Sequence, residues 1–228
     1  MTTNKALALV IWWIVLVLTT VSTSGAAWQP ALALDHPSDD QTSDVLLQED
    51  IQTAVIVINK YWATHWSDYF DGDYEPPEIA GGYLGTNGPT CNGDPSEAMN
   101  AFYCPEGDYI AWDTELMRTF YEGGENDAFP YVVIAHEWGH AVAHRLDPSF
   151  SAEAPELQAD CLAGLALYGA VRDQTLRLED GDGNEMAKTY YLLGDDIPWA
   201  DPSEHGDGVD RVAAFAAGRS GDISACIP

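Results

Sequence analysis

The string His136-Glu137-Trp138-Gly139-His140 constrains this chain more than any other feature. It lies in a run whose flanks, Val132, Val133, Ile134 and Ala135, are apolar. Pro130 suits the first turn of a helix, where a missing N–H costs nothing, and Asp147-Pro148 would stop it. The spacing therefore predicts a buried helix over residues 128–146. On such a helix His136 and His140 stand about 40° apart around the axis and one turn apart along it. Both imidazoles can then reach one metal ion. Glu137 projects about 100° from His136, too far round to bind the same ion closely but able to reach water beside it. A metal that acidifies water, with a carboxylate to take the proton, is the arrangement of a metal hydrolase, and zinc is the expected ion.

A third ligand has to come from elsewhere. His144 continues the column, but it lies about 12 Å along the axis from His136, whereas Zn–N bonds are about 2 Å. It reads as a polar helix-end residue. A second helix is predicted over residues 155–178, and it carries Glu156 and Asp160 at i, i+4. A carboxylate ligand at Glu156 leaves Asp160 to accept the outer N–H of a metal-bound histidine. Glu153 is the competing ligand, but Leu157 occupies its i+4 position, so Glu156 is preferred.

The rest of the chain reads as an α+β domain, a small antiparallel sheet packed on a helical core. Residues 45–66 show helical spacing at Leu47, Ile51, Val55, Ile58 and Trp62, with Asp44 as N-cap. Residues 78–84 suggest a short strand. Residues 102–104 and 109–112 suggest a hairpin turning at Glu106-Gly107-Asp108. Further helices are expected over 185–193 and 209–218. Asp180-x-Asp182-x-Asn184 begins like a calcium loop, but Glu185 and Tyr191 stand where a glycine and an acid are needed, so it reads as an acidic turn. Trp112, Trp138 and Trp199 read as core or cleft walls.

The N-terminus points to export. Lys5 precedes an apolar run over residues 6–18, followed by small and polar residues. Residues 1–27 are expected to be a signal peptide, with 25–27 or 31–33 as the cleavage region. An uncleaved membrane anchor is the alternative, because Thr19, Thr20 and Val21 can extend the run. Residues 28–44 read as a linker, and 45–228 as the functional domain. Four cysteines in an exported chain favour disulfides, and three pairings are open. Cys91–Cys104 would close a local loop, and Cys161–Cys226 would tie the C-terminus to the body. The absence of any C-x-x-C pair argues against a four-cysteine zinc site. The chain has 9 Lys plus Arg against 37 Asp plus Glu, a formal net charge of -28. Such a surface repels phosphate backbones and excludes nucleic acid as an expected partner.

H-E-x-x-H followed by E-x-x-x-D resembles the thermolysin-like zinc peptidases. More narrowly, three stretches resemble the bacterial putative neutral zinc metallopeptidase family: Ala101-Phe102-Tyr103-Cys104-Pro105, residues 131–140, and Glu156-Leu157-Gln158-Ala159-Asp160-Cys161. Gly194-Asp195-Asp196, His205-Gly206 and Arg211 add to the match. The resemblance implies a zincin-like fold, zinc ligands at His136, His140 and Glu156, Glu137 as catalytic base, and a peptide or protein substrate. Ala141 stands where the family often has a further histidine, at a position that is not a proposed ligand. His205 is a candidate donor to a developing oxyanion, or else a loop histidine with local bonds. The rival readings are a zinc-stabilised binding protein without turnover and a zinc amidase acting on non-protein amides.

Overall fold

A computed structural model describes residues 39–121, 126–150, 154–194 and 207–227. The expected signal segment, its cleavage regions, Glu153, Trp199 and His205 lie outside these residues.

The first helix, α1 (Asp39–Tyr69), starts earlier than residue 45, so part of the expected linker is helical. It buries Leu47, Ile51, Ile58, Tyr61 and Trp62 on one side. Val45 is exposed. Three strands follow: β1 (Glu78–Tyr83), β2 (Ala101–Cys104) and β3 (Tyr109–Asp113). Their order is β1-β3-β2. β2 and β3 form the antiparallel hairpin, with Phe102 opposite Ala111. β1 runs parallel to β3, which corrects the expectation of an antiparallel sheet. Burial sets the strand order, and that order, with a long crossover, makes the parallel direction possible. Ile110, Ala111, Trp112 and Asp113 are all buried, so β3 is covered on both faces and takes the centre. β1 must then pair on its free side, and residues 84–100 cross over β3 to reach β2. The Cys91–Cys104 disulfide ties that crossover to the end of β2.

Helix α2 (Thr114–Tyr121) follows β3 directly and has no counterpart in the sequence reading. Asp113 caps it, its carboxylate accepting the Glu115 N–H at 3.0 Å. An acid just ahead of the buried Leu116, Met117 and Tyr121 was the available signal. Helix α3 (Ala128–Arg145) is buried from Ala128 to Val142 on nearly every side, as befits a helix whose polar residues up to there are confined to His136, Glu137 and His140. It packs on α1, on β2 and most extensively on α4 (Pro155–Arg172). α4 ends at Arg172, short of the expected residue 178, because Gln174 adopts a left-handed backbone. The chain is turned there by N–H bonds from Thr175 and Leu176 to the Ala170 carbonyl. Helices α5 (Asp182–Leu192) and α6 (Gly208–Gly218) complete the domain. α6 lies along α4, and the Cys161–Cys226 disulfide fastens the segment after it to the same helix. Among the described residues no helix is long and apolar enough to cross a membrane.

Candidate metal centre

The centre sits where α3 and α4 cross. Gly139 makes the crossing close. A Cβ on Gly139 would lie 2.5 Å from the Ala159 carbonyl oxygen and 2.8 Å from its Cα. Only a glycine lets the two backbones approach so far. One side of this contact carries His136 and His140, the other Glu156 and Asp160.

His136 Nε2 and His140 Nε2 are 3.1 Å apart. Glu156 spans the pair, Oε2 lying 3.2 Å from His136 Nε2 and Oε1 3.2 Å from His140 Nε2. These three side chains could hold a metal ion. Zn–N bonds of about 2.0–2.1 Å at tetrahedral angles place neighbouring ligand atoms about 3.3 Å apart. The observed triangle is close to that spacing, so the donor set and its geometry fit zinc. His144 is not part of the group; it is exposed at the cleft, with its ring 5.9 Å from that of Tyr103.

The electrostatics reflect the closeness of these groups. Burial opposes a charge on His136, but Asp160 and Glu156 outweigh it, and its pKa is raised to about 10. Burial also opposes ionisation of Glu156, yet the two histidines hold it well below the usual carboxylate range. Asp160 is fully buried. Its Oδ1 accepts from His136 Nδ1 at 2.7 Å, which leaves Nε2 to face His140 and Glu156. The tautomer follows from the acceptor, since a carboxylate cannot donate.

Arg211, on α6, is also buried. Its Nε donates to Asp160 Oδ2 and its Nη2 to Asp160 Oδ1, each at 2.8 Å. Nη2 also lies 3.3 Å from His136 Nδ1. That contact is proximity only, because Nδ1 uses its proton on Asp160. No role for Arg211 is legible from the sequence, because it lies 51 residues beyond Asp160.

The triangle opens on a cleft of about 500 Å³, whose walls include Phe102, Tyr103, Glu137 and Pro155. Glu137 is buried in the cleft wall beside His136, His140 and Glu156. Among the described residues nothing hydrogen-bonds to its carboxylate. β2 is an edge strand, and residues 100–103 form one wall of the cleft. Asp113 fixes the start of that strand. Its N–H donates to the Asn100 carbonyl at 2.7 Å, and its Oδ2 accepts from Met99 N at 2.7 Å. Met99 is held in a left-handed conformation, φ 58°.

A family model described as putative neutral zinc metallopeptidase matches residues 4–150, more than half of the chain. The chain belongs to that family. No curated protein and no solved structure matches it. The match covers the part of this zinc metallopeptidase family member that carries His136, Glu137 and His140. Glu156, Asp160 and Arg211 lie beyond it, and the fold brings them to the same point.

The tryptophans of the described residues belong to the core of this family member: Trp112 and Trp138 are buried, and Trp138 Nε1 donates to the Tyr74 hydroxyl at 3.0 Å. Asp182 is not in a calcium-type loop but begins α5, where it comes near Asp127 and Glu185. Burial, together with the repulsion of neighbouring acids, raises the pKa of Asp127 and of Glu185.

Proposed function

We propose that this family member is an exported zinc peptidase of the zincin, thermolysin-like kind. His136, His140 and Glu156 hold the zinc, and Glu137 is the general base. The observation that carries this reading is the triangle of ligand atoms 3.1–3.2 Å apart on the wall of an open cleft, with a buried carboxylate next to it. Structural zinc sites are usually closed by four protein ligands, whereas three ligands facing a cleft leave a position for reaction.

Zinc, when held there, supplies a Lewis acid that polarises a carbonyl and acidifies water. The chain's own residues do the remainder. Glu137 accepts a proton from the attacking water as its oxygen bonds to the peptide carbon. The same carboxyl group returns that proton to the leaving nitrogen as the C–N bond breaks. The edge strand β2 offers backbone N–H and C=O groups to an extended peptide, a mode that holds a main chain irrespective of side chains. Asp160 keeps the His136 ring in one tautomer. The two disulfides suit an oxidising compartment outside the cytoplasm, which agrees with reading residues 1–27 as a signal or anchor.

The test is a digest of casein and of a peptide library by the zinc-loaded protein, with and without chelator, beside Glu137→Gln. The parent should cleave internal peptide bonds and lose that activity to the chelator. Glu137→Gln should keep its zinc while cleavage falls by about 10²-fold or more. Unchanged cleavage in this variant would rule out Glu137 as the base. A zinc-loaded parent that cleaves no peptide would favour the binding-protein or amidase reading.

A further inference from the structure

We infer that Arg211 is a positioning residue for the metal centre, acting through Asp160 on the ring of His136. The inference rests on the reading of His136, His140 and Glu156 as metal ligands.

Asp160 has to hold the His136 ring in place. Its carboxylate is fully buried on α4, and Oδ1 is the acceptor for the outer N–H of His136. A carboxylate with one partner can rotate about its terminal torsion, which is soft and broad. Rotation would carry Oδ1 away and let the imidazole swing, moving Nε2 out of the ligand triangle. Arg211 removes that freedom. Its guanidinium is planar, and Nε and Nη2 meet both carboxylate oxygens at 2.8 Å. Such a two-point contact fixes the plane as well as the position of the carboxylate.

The arginine is itself held from three sides. Nη1 donates to the Leu193 carbonyl at 2.8 Å, just past α5. The guanidinium carbon lies 5.6 Å from the centre of the Tyr190 ring. Its own helix is clamped on α4, where Gly218 packs against the Cys161 carbonyl and Cys161 is bonded to Cys226. The chain thus returns its C-terminal helix to the metal centre to place one side chain. A buried ion pair by itself adds little to stability, since desolvation offsets the attraction. The two-point contact on a carboxylate that orients a ligand gives this one a use.

Lysine at 211 keeps a buried positive charge but has no planar fork, so it separates orientation from charge. In Arg211→Lys the zinc dissociation constant, measured by competition with a chromogenic chelator, should rise about tenfold, the lower end of the effect of a partner behind a metal ligand. The d–d spectrum of the cobalt-substituted protein should shift with it, since it reports ligand geometry. Asp160→Asn should also weaken zinc. Adding Arg211→Lys to Asp160→Asn should then cost nothing further, because Arg211 acts through that carboxylate.

Three outcomes would overturn the inference. One is an Arg211→Lys variant that melts at a lower temperature without zinc yet keeps the parental zinc affinity and cobalt spectrum, the mark of a purely structural contact. Another is a double variant whose losses multiply, showing that Arg211 works independently of Asp160. The third is a parent that binds no zinc, which would sink the metal-site reading and this inference with it.

Discussion

Gly139→Ala tests whether the crossing of α3 and α4 sets the ligand geometry. The added methyl carbon would lie 2.8 Å from the Ala159 Cα and 2.5 Å from its carbonyl oxygen. Carbon atoms in contact prefer about 3.5–4.0 Å, so the helices must separate by about 0.7 Å or more. The obstacle is backbone and cannot rotate aside. His136 and His140 stand on one side of this gap and Glu156 on the other, while metal–ligand distances tolerate only about 0.2 Å. The displacement is thus several times the tolerance, and zinc affinity should fall by at least about tenfold. Stability should suffer far less. Overpacking costs about 1–3 kcal/mol, and about 1 kcal/mol is recovered because alanine favours a helix over glycine. The assay is chelator competition for zinc, paired with thermal melts in the absence and presence of the metal. The zinc-free melt should change little, while the stabilisation added by zinc should shrink. Parental zinc affinity in Gly139→Ala would refute the reasoning, because the helix approach would then not be what spaces the ligands.

Other expectations follow from the same structure. Glu156→Ala should abolish stoichiometric zinc by elemental analysis, and full occupancy would return Glu153 to consideration. Replacing Cys161 and Cys226 by serine removes a cross-link over a separation of 65 residues, and loss of chain-entropy restraint predicts about 4 kcal/mol of destabilisation. The Cys91–Cys104 pair, 13 residues apart, should cost about 3 kcal/mol by the same argument, and denaturant titration would check both. His65 on α1 pairs with Asp68 of the same helix and with Asp173 at the end of α4. Burial opposes its protonation, but these two acids outweigh it and raise its pKa. Its contribution should be complete below about pH 6.5 and disappear as pH rises through the raised folded value. Because the site is partly exposed, the gain over His65→Gln should stay under about 1 kcal/mol, and equal stability of the two proteins at acid pH would contradict it.

The sequence by itself determined the features that are local. The i, i+4 spacing of His136 and His140 is a property of one helix, and so is that of Glu156 and Asp160. The hairpin of β2 and β3 was legible from its turn and its apolar residues, and the even cysteine count allowed for the two pairs that the fold joins. Tertiary structure decided what depends on which elements meet. β1 pairs with β3 because the most buried strand takes the centre, a competition that no single strand's pattern records. The approach at Gly139 depends on a carbonyl one helix away. Arg211 reaches Asp160 only because α6 folds back along α4. Spacing within a helix is fixed by 3.6 residues per turn, whereas contact between helices is fixed by the packing of the whole core.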